Sequence, residues 1–440
     1  MEPTGEIQIL VNELNNRLMY VLRHVFSKML GLRPIITNDE ESFLKFQGFK
    51  LNYSRTKYAD ELYIHPAGLV YKKGIQPVYA GVDFINEMPV LFKAETEDGC
   101  DAGFDIFSSI FFVISRYEEY LPFEKDHHNR FRPECSVLFK HELYRKPLVD
   151  IWTEELKRIL KNRYQDITFT VHHFQNQPTI DIDNAFAYKY RGVFRTFFAF
   201  VRDILTLRIY TFQDRLRTLM RMKADPYDTF VFLRTCLYNC HPKPYFFFLS
   251  GKRSKYDTNI SLKQGMMAKV ISNVAEYAHI GLHASYASSK KKRDYLIGKE
   301  LTMLENVSNR KVSANRQHYI KLHLPDTYQH LIKYGIKEDF SMGYASDYGF
   351  RAGTCHPFMF YDLQKEKETP LLLVPFVAMD ATFSTYLKYT PEQAQEIIDN
   401  LKQTVEKYQG TLCIIWHNET FAPTKAGMAW RKVFERLYNG

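Results

Sequence analysis

Apolar residues recur at intervals of three and four through Leu14, Leu18, Val21, Leu22, Val25, Phe26 and Met29, the spacing of a single buried helix face. The pattern predicts a short strand from Ile7 and then an amphipathic helix to Leu30, stopped by Gly31. Strand-like pieces follow at Lys50–Ser54 and Glu61–His65. A second helix is predicted over Phe104–Tyr120, with Phe104, Phe107, Ile110, Phe111, Ile114 and Tyr117 on a wide apolar side. A third runs over Pro147–Lys161 and turns Val149, Trp152, Leu156, Ile159 and Leu160 inward.

Beyond this helix the rhythm changes, and a domain boundary is expected near Asn162–Asp166. It divides a small α/β domain, residues 1–165, from a larger one, residues 166–440, that opens with a strand at Ile167–Val171. Tyr245–Leu249 is a continuous apolar run, as in a strand buried on both faces. Strands and helices then alternate: helix Leu262–Ala278, strand His279–Leu282, helix Lys292–Glu305, strand residues 311–313, helix Pro325–Tyr334, strand residues 339–341. After strand Leu371–Val374, Thr390-Pro391-Glu392-Gln393 forms a capping box that opens a helix burying Ala394, Ile397, Ile398, Leu401 and Val405. Gly410 stops it, and strand Thr411–Ile415 follows. Repeated units of this kind imply a parallel sheet or a (β/α) barrel.

At 440 residues the chain exceeds what one core usually organises. Its 30 Tyr and 34 Phe suit aromatic floors for sugars or bases as well as cores. The net charge of +9 is mostly local: between Lys189 and Lys223 nine Lys or Arg stand against two Asp. One basic, aromatic helical insertion at about 189–226 suggests a docking face for an anionic glycan, phospholipid or diphosphate-linked lipid, or a solvated helix pair. Nucleic-acid binding is set aside, since no recognition motif accompanies the charge. Residues 1–6 show no secretory signal, the apolar runs are too short to span a bilayer, and six scattered cysteines suit a reducing compartment. A cytoplasmic location is therefore expected. Cys236-x-x-x-Cys240-His241 reads as helix-end packing, His127 and His128 as loop histidines, and Arg116 with Glu118 or Glu119 as a structural latch.

Candidate chemistry centres on Thr179-Ile180-Asp181-Ile182-Asp183-Asn184. Residues i and i+2 of a strand share a face, so the two carboxylates point the same way. On a solvated strand end they would only solubilise, whereas at the C-terminal end of a buried strand they face the mouth where ligands bind in α/β folds. His283, Arg316, Asp339 and His417 also fall at strand ends or just after them.

With these residues placed in order, the second domain resembles the polysaccharide deacetylases of the NodB-homology type, carbohydrate esterase family four. The whole chain is similar to a Bacteroidetes group that adds an N-terminal α/β domain. The stretches carrying the resemblance are residues 104–107 and 115–120, Thr179–Asn184, Ile280–His283, Arg316–Tyr319, Gly349–Thr354 and Trp416-His417-Asn418. The resemblance implies a distorted (β/α) barrel with a divalent metal, most simply zinc, at its mouth. It assigns Asp181 as general base, Asp183 and His283 as metal ligands, and Arg316 as the partner that orients Asp181. Asp339 would orient His417, the general acid. The family pattern expects a second metal histidine four residues after His283, where this chain has Ala287. His318 is the candidate substitute, with Ser285 or Ser288 positioning water as an alternative and a structural role for His318 also open. Tyr319, Trp416 and Arg351 are the expected substrate contacts.

The resemblance thus implies metal-assisted removal of N-acetyl groups from amino sugars of a glycan or lipid-linked saccharide, and the basic aromatic stretch Lys189–Lys223 suggests peripheral contact with an anionic membrane. A glycan-binding protein without activity, or a hydrolase of another amide or ester, are the alternatives. Oligomeric state and the purpose of the N-terminal domain are left open.

Overall fold

A computed structural model describes residues 4–58, 61–95, 99–290 and 293–439. The predicted start of a helix at Lys292 lies outside the described residues, and that helix runs over Tyr295–Ser308.

The N-terminal region forms a small parallel sheet of β1 (Glu6–Val11), β2 (Arg33–Thr37), β3 (Phe49–Tyr53) and β4 (Leu62–Tyr63), ordered β2-β1-β3-β4. A hairpin of β5 (Val82–Ile85) and β6 (Met88–Leu91) follows. Asn15 caps the first helix by accepting from the Leu18 amide, and the helix passes into a π-helical segment, Arg23–Leu30. Gly31 ends it at φ 73°, where Thr170 packs so closely that a Cβ would meet its Oγ1 at 1.7 Å.

The second sheet holds β7 (Gln175–Ile182), β8 (Tyr245–Leu249), β9 (His279–Ala284), β10 (Ala314–Gln317), β11 (Glu338–Asp339), β12 (Phe358–Asp362), β13 (Lys367–Leu373), β14 (Ala378–Met379) and β15 (Thr411–His417). Their order is β12-β13-β11-β10-β9-β8-β7-β15-β14, and every pair is parallel except β12 with β13. The expected strand at Ile167–Val171 is absent. Residues 167–174 are irregular, tied down by bonds such as Thr170 N–H to the Leu30 carbonyl, and the strand starts at Gln175.

Arg316 shows how strongly the sheet curls. From β10 its guanidinium donates to Thr179 Oγ1 on β7 and comes within 3.8 Å of Cys413 Sγ on β15. In a flat sheet β10 and β15 would lie four strand spacings apart, roughly 19 Å. An arginine cannot reach that far, so the strands wrap around a shared interior. That interior has its own apolar cluster, including Phe247, Ala314, Phe340, Phe376, Cys413 and Ile415, separate from the larger core under the helices.

The ring of strand pairs does not close, which corrects the expectation of a barrel to a curled open sheet. Among the described residues β13 and β14 do not pair; residues 374–377 cross the gap with single bonds, Phe376 N–H to Met342 O and Val377 N–H to Cys413 O. Pro375 lies in this crossing segment and has no N–H to offer a ladder.

The N-terminal region packs on the β12–β13 edge, where Tyr20 meets Tyr361 at 4.9 Å between ring centroids and Arg17 pairs with Glu366. Among the described residues no helix is long and apolar enough to cross a membrane.

Candidate active site at the strand ends

Parallel strands present their C-terminal ends to one mouth, and β7, β9, β10 and β15 each deliver a polar side chain there. Alternation along β7 turns Thr179 and Asp181 into the curled interior, and β15 runs in register beside it, with His417 opposite Asp181. Asp183 follows one residue past the end of β7.

Asp181 is almost fully buried, and its Oδ1 accepts from Arg316 Nη1 at 2.8 Å. Arg316 is fixed in turn by Thr179 Oγ1, by the Phe340 carbonyl at 3.0 Å and by the Phe247 ring beneath it. The second oxygen of Asp181 is left facing His283 Nε2, 3.6 Å away.

His283 donates from Nδ1 to the Arg316 carbonyl at 2.9 Å. That bond leaves Nε2 as the lone-pair nitrogen, and it points at Asp183 Oδ1, 3.2 Å off. His318 approaches from the other side, with Nε2 3.3 Å from Asp183 Oδ2 and Nδ1 held by Asp257 at 2.9 Å. Burial opposes charge on His318, yet the Asp183 and Asp257 carboxylates outweigh it and carry its pKa up to about 9. Burial would also raise the Asp183 carboxyl, but the charged His318 imidazole outweighs it and holds it well below the usual range.

These three side chains fit a cation. Their ligand atoms lie within 4.8 Å of one another, and Asp183 Oδ1 is buried without a hydrogen-bond donor. Each histidine has its other nitrogen tied to a carbonyl or carboxylate, the arrangement that orients metal-binding imidazoles. Two nitrogens and one carboxylate oxygen leave a fourth position open, as catalytic zinc requires. His318, the expected candidate ligand, thus stands within reach of Asp183 and His283.

His417 faces the same space. Its Nδ1 lies 2.7 Å from Asp380 Oδ1, while its backbone N–H and the Thr420 hydroxyl bond to the other oxygen. Burial disfavours the imidazolium, but Asp380, with Asp183 and Asp181 behind it, pushes its pKa well above the ordinary value. The orienting carboxylate is therefore Asp380 and not Asp339. Asp339 is fully buried, accepts from Asn315 Nδ2, Ser341 N and Ser341 Oγ, and is raised to about 6 by burial.

Two expected substrate contacts lie elsewhere. Trp416 alternates with His417, so it points to the opposite face of β15 and is enclosed by Phe421, Trp430 and Phe434. Arg351 is buried in a bidentate pair with Glu119, which also binds Arg116; it joins the N-terminal region to the 350s loop. Tyr319 does lie at the mouth, half-buried against His318 at 4.7 Å. Around it stand Tyr256, Tyr286 and His128, and Arg130 donates to the Tyr319 carbonyl. The N-terminal region thereby contributes to the wall of the mouth.

Asp257, Asp380, Tyr256, Tyr286 and Glu419 were not among the expected site residues. Glu419 accepts from Asn184, and burial beside Asp183 raises it to about 7.

Residues 7–165 match a family of unknown function (DUF7033). No curated protein matches the chain. Among solved structures, a protein described as a polysaccharide deacetylase from Mycobacterium smegmatis aligns at 14% identity over 62% of this chain and 86% of its own, with a TM-score of 0.41. Puue allantoinase aligns at 11% identity over 61% and 85%, with a TM-score of 0.38. A 4-alpha-glucanotransferase from Thermococcus litoralis gives 9% identity, 61% and 38% coverage and a TM-score of 0.34. These scores are low, and the fold rests on the strand order and register above.

Proposed function

We propose that the protein is a metal-dependent hydrolase that removes N-acetyl groups from amino sugars of a glycan or lipid-linked saccharide. One observation carries the reading: Asp183, His283 and His318 converge beside the Asp181–Arg316 and His417–Asp380 pairs at a single mouth. A divalent cation, most simply zinc, would polarise the acetyl carbonyl and lower the pKa of its water from ~15.7 toward about 7.

The chain's own groups divide the remaining work. Asp181 has one oxygen committed to Arg316 and the other turned to the ligand set, so it is placed to take the proton of the attacking water. Arg316 keeps that carboxylate aimed. His417, held at Nδ1 by Asp380 and favouring its charged form, has Nε2–H free to protonate the departing nitrogen. Tyr319 with Tyr256 and Tyr286 offers ring faces and hydroxyls against which a pyranose can lie.

Acetate release from acetylated chitooligosaccharides or peptidoglycan precursors tests the reading. Activity lost in Asp181→Asn, with zinc content retained, supports it; equal and negligible zinc in the unaltered protein and in Asp183→Asn overturns it. Ala287 favours the second reading, a glycan binder without activity, which predicts sugar binding with no acetate released.

A further inference from the structure

The basic insertion folds as two helices, Val193–Leu205 and Ile209–Leu219, which meet through Phe200 and Phe212 at 5.0 Å between ring centroids. Side chains turned inward are Asp203, Arg215 and Thr218, all buried, with Arg215 bonded to Asp203 at 3.0 Å. Side chains turned to solvent include Phe194 (82% exposed), Phe197 (60%), Phe198 (66%), Leu205 (78%), Leu207 (82%) and Tyr210 (89%). Positions 194, 197, 198, 204 and 205 recur at helical spacing, so they form one continuous stripe. Single exposed apolar residues are ordinary, but a contiguous apolar face on a helix pair is not.

Under the pair lies a cavity of about 1110 Å³, lined by Arg191, Arg195, Arg202, Arg215 and Arg253, with Asp214 the one acidic group in its wall. Among the described residues, no ion pair to a carboxylate is found for Arg191, Arg195 or Arg253. Arg195 donates to the Thr258 carbonyl at 3.4 Å. Burial, with the neighbouring Arg191, Arg253 and Arg215, brings the pKa of Arg195 down to about 10. The cavity adjoins the catalytic mouth, since Arg191 donates to Asn184, the residue after Asp183.

We propose that residues 193–222 seat the protein on an anionic bilayer, the apolar stripe entering the acyl boundary and the cavity arginines meeting lipid phosphates at headgroup depth. Phe194 and Phe198 of the stripe also line the arginine cavity, so apolar and basic groups stand side by side, as the acyl and phosphate zones of such an interface do. Arg208, Arg217 and Arg221 on the same segment add the charge complementarity. The helices are too short to span, so the contact is in plane. The mouth beside Asn184 then faces the membrane surface. The inference is independent of the hydrolase reading.

Co-sedimentation of the full chain with vesicles tests it, comparing phosphatidylcholine alone with phosphatidylcholine mixed with phosphatidylglycerol. Binding to the mixed vesicles is expected, and binding at least about tenfold weaker to the neutral ones. Phe194→Ser/Phe197→Ser/Phe198→Ser, all exposed positions, is expected to weaken binding by about tenfold or more. Arg195→Gln/Arg253→Gln is expected to reduce the preference for the anionic lipid. Absence of binding to either vesicle, or undiminished binding by the triple variant, overturns the proposal. Self-association that the triple variant abolishes, without vesicle binding, also overturns it and assigns the face to a second copy.

Discussion

Asp257 holds Nδ1 of His318 at 2.9 Å and so turns the opposite nitrogen of that ring onto Asp183. The bond fixes the tautomer as well as the angle, and partners of this kind usually govern metal affinity by about 10–100-fold. Asp257→Asn is therefore expected to weaken zinc binding by about that factor, measured by competition with a chromogenic chelator. His318→Ala should lose more, because a ligand atom disappears. Zinc affinity unchanged in His318→Ala would remove His318 from the ligand set.

Arg316 and Asp181 form an ion pair wholly removed from water. Removing one member of such a pair leaves a buried charge alone, at a cost of about 3–5 kcal/mol. Urea denaturation should show Arg316→Met destabilised by that order, with Asp181→Asn/Arg316→Met recovering part of the loss. Neither the single nor the double variant should release acetate.

The Glu119–Arg351 pair separates a structural from a binding role. Glu119→Gln leaves Arg351 and Arg116 without their shared carboxylate, and a loss of about 3–5 kcal/mol is expected. Activity per folded molecule should be unaltered at a temperature where the variant is still native. A change in KM alone, with stability intact, would return Arg351 to the substrate.

His24 is one source of acid sensitivity in the N-terminal region. It is buried, its Nε2 has no partner, and burial lowers its pKa from 6.5 to about 3. Below 6.5 the unfolded chain takes up a proton that the native state refuses, so stability falls as pH drops from 6.5 toward 3. Urea midpoints taken from about pH 7 to about pH 4 should decline less steeply in His24→Leu than in the unaltered protein.

Period-two alternation made much of the site legible in the chain. It set Asp181 on an inward face and, applied to β15, also sends Trp416 outward when His417 points in, a consequence that proximity in sequence obscured. Asp257 and Asp380 were not readable, because one lies in a loop after β8 and the other follows a strand of two residues. No periodic pattern marks such positions. The open ring has the same cause: β11 and β14 are two residues each, too short for a strand signature, and the short link of residues 374–377 is too brief for the crossover that a parallel β13–β14 pair would need.

On the proposed mechanism the Asp380–His417 pair is expected to set the alkaline side of the pH–rate profile. As general acid, His417 must be protonated, and activity disappears as pH rises through its pKa. Burial works against the imidazolium, but the Asp380 carboxylate 2.7 Å away prevails and holds that pKa well above its ordinary value. In Asp380→Asn the attraction is lost while burial remains, so the pKa falls and the alkaline limb moves to lower pH. Misorientation of the ring should also lower kcat by about 10²–10⁴-fold, with KM nearly unchanged because Asp380 does not reach the substrate. Profiles of kcat for acetate release in the two proteins check both effects. An alkaline limb that stays in place while kcat falls would mean that another group, such as Glu419, protonates the leaving nitrogen.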